Sequence, residues 1–410
     1  MRLRPLLAVL VISTAWLTLP VAAQVRPLAA PFRLTSTYDF DGRANYISYG
    51  PRAVPLSGGG FAAAWQSIEE HARGGPGLHF ATARALGPAG GLATESFLAS
   101  GTPPWQVWPQ SATVTADGTG GFVAVWDDTT EISVQTFGPD GASRHAVWNL
   151  GGDPGEQAVA AEVSGIPGNA NGDFAIAWQI RKQDPQRFRL LVQVFHADGT
   201  SVTPRIIIPV RRPRLTGIDH RVGIDRQGRF VVVWRDDWSL RGQIFDRTGA
   251  PAGSPFTIAD RTATKAIPIC LAVTPDGGFA VAWGNPSISL RTYTAAGIPL
   301  GKTRTLSGKL LDLATDSHGN LALAALESDT NSSRLQISLF DRRLNPQGQA
   351  LILHAGPALT GALALADSGQ LLIVWGGRWI TWPTGADQAP LLAQLWQVTR
   401  SGKTSDTGGD

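Results

Sequence analysis

A single cysteine, Cys270, stands in the 410 residues. It has no partner for an internal disulfide, and its place in the apolar run from Ala266 to Val273 reads as a small buried hydrophobe. Disulfide scaffolds, cysteine nucleophiles and thiolate-held metals are therefore poor explanations of this chain. Long helical stretches rich in Ala, Glu, Lys and Leu are missing. Beyond the N-terminus no apolar run is long enough to span a bilayer. The patterns G-x-S-x-G and H-E-x-x-H and the Walker phosphate loop are absent too, which removes three common hydrolase signatures. Charge is nearly balanced, with Lys plus Arg at 35 and Asp plus Glu at 32. An overall electrostatic footprint for nucleic acid is therefore absent.

What is present begins with an address. Arg2 and Arg4 form a charged start, Leu6 to Pro20 is mostly apolar, and Val21-Ala22-Ala23 offers small residues for cleavage before Gln24. Residues 1–23 are expected to be a secretory signal peptide, the apolar run being short for a membrane anchor. Leu3 separates the arginines, so the signal is not of the twin-arginine kind, and no cysteine follows for lipid attachment. The mature protein is expected to be secreted or periplasmic, without stable membrane insertion.

The stretch Gly120-Gly121-Phe122-Val123-Ala124-Val125-Trp126 organises the rest. Apolar residues at both parities mean a strand covered on both faces, and the glycines before it mark a tight turn. Copies end at Trp65, Trp178, Trp234, Trp283 and Trp375. A degenerate copy from Gly319 to Glu327 is read as placing Leu326 where the others have Trp. Seven copies between residues 65 and 375 give a period of about 52, and a period of this size in an all-strand pattern points to a β-propeller.

Each repeat reads as four strands, A to D. In the second these are Ser111 to Ala116, Gly121 to Trp126, Ile132 to Phe137 with its Gln135-x-Phe137 pattern, and a strand near His145 to Leu150. Asp117-Gly118 and Asp140-Gly141 turn between them. The last repeat lacks strand D, while Ala30 to Thr35 is an orphan strand resembling the D strand Ser254 to Ala259. The expected fold is an all-β, seven-bladed propeller of four-stranded antiparallel blades, its ring closed by the N-terminal strand. Residues 24–400 form the one propeller domain, and 401–410 a disordered tail. The GGFxVxW, QxF and DG elements resemble the repeats of bacterial secreted β-propeller proteins, a largely uncharacterised group. That resemblance covers nearly the whole mature chain. It implies a fold, and propellers host enzymes and passive binders alike.

The A–B and C–D turns are short and repetitive, whereas the B–C and D–A connections vary. Variable loops on a rigid scaffold usually carry binding, so the expected site lies on the B–C/D–A face, near the axis. Aromatic candidates there are Trp105, Trp108, Trp238 and Trp379, which either stack on sugar rings or pack over a blade end. Acidic candidates are Asp128 and Asp237, each second in an Asp pair after a strand B. They serve as acid–base groups or as acceptors of turn N–H groups. Basic candidates are Arg181, Arg211, Arg212, Arg235 and Arg378. Between Arg181 and Arg241 there are twelve Arg and one Lys against six Asp, and an Arg fork suits a carboxylate, sulfate or phosphate. Asp39-x-Asp41-Gly42 matches a calcium loop only incompletely. No metal or other cofactor is expected. The leading expectation is a non-catalytic binding or interaction module for a glycan or an envelope protein. The alternatives are a polysaccharide hydrolase or lyase using acids near the axis, and a scaffold component of an envelope assembly.

Overall fold

The computed structural model describes residues 23–35, 45–70, 78–94, 97–98, 112–127, 131–153, 155–169, 171–181, 188–210, 218–260, 268–328, 333–354, 360–376 and 391–399. Two N-terminal strands come first, β1 (Gln24–Pro27) and β2 (Phe32–Arg33). Blade one is β3 (Asn45–Pro55), β4 (Phe61–Glu70), β5 (Leu78–Leu86) and β6 (Phe97–Leu98). Blade two is β7 (Ala112–Ala116), β8 (Phe122–Asp127), β9 (Ile132–Phe137) and β10 (Trp148–Leu150). Blade three is β11 (Gln157–Gly165), β12 (Phe174–Arg181), β13 (Phe188–Phe195) and β14 (Ile206–Ile208). Blade four is β15 (His220–Ile224), β16 (Phe230–Asp236), β17 (Ser239–Phe245) and β18 (Phe256–Ala259). Blade five is β19 (Ile269–Val273), β20 (Phe279–Trp283), β21 (Ser287–Tyr293) and β22 (Arg304–Ser307). Blade six is β23 (Lys309–Thr315), β24 (Leu321–Ser328), β25 (Ser333–Phe340) and β26 (Leu351–His354). Blade seven has β27 (Thr360–Leu365), β28 (Gln370–Gly376) and β29 (Leu391–Thr399).

All strand pairs within these sheets are antiparallel, and the seven-bladed propeller expected from the repeat is what forms. Closure uses more of the N-terminus than the orphan strand alone. Phe32 and Arg33 pair with Ala393 and Leu392, and Gln24 to Pro27 pair with Thr399 to Trp396. One long strand, β29, therefore receives two short pieces, which cover an edge that would otherwise stand open.

The core is divided among the blade interfaces. Seven apolar clusters each join two neighbouring blades, and the one that unites blades seven and one closes the circle. The repeated Trp is the centre of most of them. Trp65, Trp178 and Trp234 are fully buried, and Trp126 packs against Ala62, Ala64, Ala81, Ala83 and Ala85 of blade one. Small partners leave room for the indole between the two blades. The Phe of strand B stacks on the Phe or Tyr that ends strand C. Ring centroids lie 5.1 Å apart for Phe122 and Phe137, 4.9 Å for Phe230 and Phe245, and 4.8 Å for Phe279 and Tyr293. These pairs explain the QxF pattern as packing.

The degenerate sixth repeat needs a correction. Leu321 pairs with Phe340 as Phe279 pairs with Tyr293, so the Trp position four residues on is Ala325, not Leu326. A one-residue slip in a strand exchanges its faces. Leu326 is buried as well, but on the other face, opposite Lys309. Around Ala325 the volume is supplied by Ile288, Leu290, Leu306, Leu310 and Leu344.

The Asp of the A–B turns is structural. Asp117, Asp225 and Asp316 are buried, and each accepts backbone N–H groups two and four residues ahead. This is the local Asx geometry that fixes a tight turn.

Candidate functional site

The seven inner strands β3, β7, β11, β15, β19, β23 and β27 contact one another in a ring and enclose an axial cavity of about 600 Å³. The strand register shows which residues share a level in it. Opposite the residue just before the Trp position of strand B stand Arg52, Thr113, Glu162, Arg221, Cys270, Asp312 and Ala362, one from each blade. All but Ala362 line the cavity. Two arginines, a glutamate and an aspartate thus meet where most of the core is apolar.

Bulges precede three of the four charges. The register slips between Tyr49 and Arg52, between Val159 and Glu162, and between Leu310 and Asp312. A bulge re-aims the side chain that follows it and is common beside functional sites. In blade three the bulge includes Ala160 at φ 54°, a left-handed conformation that a non-glycine residue adopts only where its surroundings demand it. Asp127 of blade two meets that demand. Its Oδ2 accepts the Ala160 N–H at 2.8 Å, and the carboxylate is almost fully buried. The first Asp of the pair after Trp126 is therefore an anchor across a blade interface. Gln179 is the equivalent anchor in the next blade, donating to the Ile218 carbonyl and accepting the Ile218 N–H, both at 2.8 Å. Replacing Asp127 by Ala leaves the Ala160 N–H without its acceptor. The expected loss of unfolding free energy is about 1–3 kcal/mol, measurable by denaturant titration. Asp127→Asn, which keeps one acceptor oxygen, is expected to lose less.

The four charges are unequally engaged. Arg221 Nη1 lies 2.8 Å from Glu162 Oε1 and also donates to the His220 carbonyl at 2.7 Å. Asp312 uses both oxygens on backbone amides, Oδ1 accepting from Leu313 at 2.8 Å and Oδ2 from Leu363 of blade seven at 2.9 Å. Arg52 is only 3.9 Å from Glu162, and its guanidinium donates to the Pro51 carbonyl at 3.3 Å. Burial pushes the Asp312 carboxyl above its ordinary value, against the pull of Arg52 and the two amides. Burial opposes the Arg52 charge, yet Glu162 and Asp312 together outweigh it and hold the arginine above its ordinary value. The Cys270 thiol is pushed up to about 12 by burial and then by Asp312. That thiol is inert as a nucleophile at neutral pH, as the apolar run around it suggested.

The cavity extends to the A–B turns, with Ser57 to Gly59, Gly168, Arg226, Pro275, Ser317 and Asp367 among its lining. That is the side opposite the variable loops. Of the candidate residues on the variable side, Trp105, Trp108, Asp128, Arg211, Arg212, Arg378 and Trp379 lie outside the described residues, as does the segment Asp39-x-Asp41-Gly42. Four candidates are described. Arg235, Asp237 and Trp238 come together at the β16–β17 turn, which is a two-residue hairpin rather than a long loop. Asp237 takes φ 59° as its first residue, and Trp238 is 45% exposed. Arg235 is buried, with its Nη1 3.4 Å from Asp219 Oδ2, and so acts in a structural ion pair. Arg181 is exposed at the end of β12. Among the described residues no cluster of three or more His, Cys, Asp or Glu is placed to hold a metal ion.

Sequence reasoning passed over Arg52, Glu162, Arg221 and Asp312, although a signal was present. Arg52, Thr113, Arg221, Cys270, Asp312 and Ala362 each stand nine residues before the first apolar residue of strand B, Phe61, Phe122, Phe230, Phe279, Leu321 and Leu371. Glu162 stands twelve before Phe174, because the A–B turn of blade three is longer. Charges at one fixed offset inside apolar inner strands are the trace of a ring.

No family model matches this chain, and no curated protein does. Among solved structures it is similar in fold to the Dos1 propeller, with TM-score 0.48, 11% identity, and coverage of 90% of this chain and 95% of that one. A protein of unknown function from Bacteroides caccae gives TM-score 0.36 at 14% identity over 60% of this chain and 79% of that one. The NanB sialidase from Streptococcus pneumoniae gives TM-score 0.47 at 10% identity over 92% of this chain and 71% of that one. These likenesses concern the fold alone.

Proposed function

We propose that this chain is a secreted, non-catalytic β-propeller that works as a binding module, its partner a glycan or an envelope protein. The observation that carries the reading is the state of the axial charges. Glu162 is paired with Arg221 and Asp312 is bound to two backbone amides. An acid and a base for hydrolysis need freedom to exchange protons with a substrate, whereas these carboxylates are fixed as components of the wall. A rigid ring with a charged cavity on one side and the exposed Trp238 and Arg181 on another suits recognition. The proposed cleavage after Ala23 is compatible with closure, since Gln24 is the first residue of β1 and pairs with Thr399.

The test is a glycan array probed with the purified chain from Gln24 onward. Saturable retention of a glycan without its breakdown is expected, together with several-fold weaker retention for Trp238→Ala. Release of new reducing ends or unsaturated sugars from a retained polysaccharide would transfer the case to the hydrolase or lyase reading. Retention untouched by Trp238→Ala would remove that residue from the contact surface.

A further inference from the structure

We propose that the axial cavity on the A–B turn side binds a small monocarboxylate with an apolar body, its carboxylate held by the guanidinium of Arg52. This goes beyond the glycan or protein reading and concerns a separate site.

The charges at this level are unequally paired. Arg221 holds Glu162 through Nη1 at 2.8 Å, and the oxygens of Asp312 are taken up by amides. Arg52 keeps most of its donors. Its contact with Glu162 is 3.9 Å long, its hydrogen bond reaches only the neighbouring Pro51 carbonyl, and a third of its side chain is exposed in the cavity that it lines. An arginine has five N–H donors in a planar fork that suits a carboxylate. Arg52 stands opposite Ala64 on the inner strand, just after a bulge.

Charge then selects among anions. Two arginines and two carboxylates balance at this level, so the site has no large positive excess. A dianion such as phosphate meets the field of Glu162 and Asp312 as well as that of Arg52 and is disfavoured. A monoanion that fits the fork meets less of that repulsion. Two of the hydroxyls nearby donate to backbone carbonyls, Thr115 to Gly165 at 3.3 Å and Thr315 to Asn320 at 3.0 Å, and Ser164 accepts the Ile224 N–H at 3.3 Å. Val54, Leu271, Leu311 and Leu363 supply apolar wall. A cavity of about 600 Å³ lies within the ordinary range for small-molecule sites. The apolar wall favours an acid whose remainder is hydrocarbon or aromatic.

Isothermal titration of the full mature chain with benzoate, acetate, benzamide, glucuronate and inorganic phosphate tests this without any variant. Benzoate is expected to bind most tightly. Benzamide should be weaker by about tenfold or more, the scale of a charge-assisted hydrogen bond. Arg52→Gln is expected to lose the preference of benzoate over benzamide. Arg52→Lys keeps the charge but not the fork, and is expected to keep some of that preference. Equal binding of benzoate and benzamide, tighter binding of phosphate, or no heat from benzoate would each overturn the proposal. Should Arg52→Gln fail to fold, the wild-type comparison and Arg52→Lys still decide. A chain that retains a glycan on the array but ignores benzoate sinks this inference and leaves the binding-module reading standing.

Discussion

Deleting residues 24–35 is expected to cost the propeller its closed fold. These residues form the two short strands that pair with β29, and they do more than cover an edge. Leu28 and Leu34 donate backbone N–H groups to Leu395 and Leu391, both at 2.9 Å. Gln394 donates to the Ala29 carbonyl at 2.9 Å, and the buried Arg84 of blade one donates to the Leu34 carbonyl at 2.6 Å. Leu34 itself is fully buried in the cluster between blades seven and one. The deletion therefore opens an edge, empties a leucine site at the closing interface and removes an acceptor from a buried guanidinium. Leucine loss from a core costs about 2–5 kcal/mol, and each lost buried partner adds about 1–3 kcal/mol. A domain has only about 5–15 kcal/mol of stability in total. The expected result is a collapse of the thermal transition and larger species on size exclusion, since open β edges associate. A synthetic peptide of residues 24–35 added in trans is expected to restore the transition in some measure. A deletion variant that melts and elutes like the parent would show that closure contributes nothing.

The blade count, the strand pattern and the N-terminal closure were legible because each follows from local periodicity repeated seven times. The A–B turns were legible because an Asp that accepts N–H groups two and four residues ahead needs no distant partner. Three kinds of feature were not. Arg52 and Glu162 looked like single charges in apolar strands, since their meeting depends on blades far apart in sequence. The longer A–B turn of blade three hid the common level of Glu162, which stands twelve residues before Phe174 where the other blades have nine. Asp127 stood in the sequence only as the neighbour of the candidate Asp128, in a pair open to both an acid–base and a turn-acceptor role. Only the neighbouring blade, with Ala160 in a left-handed conformation, decides between them. Ala325, by contrast, was legible by count. Counted from Gly319 as Trp126 is from Gly120, Ala325 falls at the Trp position, and the pairing of Leu321 with Phe340 agrees.

That replacement bears on what the repeated Trp contributes. Six blades carry it and blade six holds Ala325, so the position demands filled volume and not indole chemistry. Trp178 shows the same from the other direction. It is fully buried among Val123, Val125, Ile132, Val134 and Leu191, and its Nε1 has no hydrogen-bond partner among the described residues. Arg205 lies over the ring at 5.6 Å, an added attraction that any aromatic ring retains to some degree. Trp178→Ala is expected to lower unfolding free energy by about 3–5 kcal/mol, the range for large aromatic deletions that leave a cavity. Trp178→Phe keeps most of the volume and removes the buried donor, and is expected to cost less than about 2 kcal/mol. At blade six the space is already taken by leucines, so Ala325→Trp overpacks and is expected to destabilise by about 1–3 kcal/mol. Denaturant unfolding of the three variants measures these differences. If Trp178→Phe proved as damaging as Trp178→Ala, the indole itself would have to matter, and packing would not account for the motif on which the chain is built.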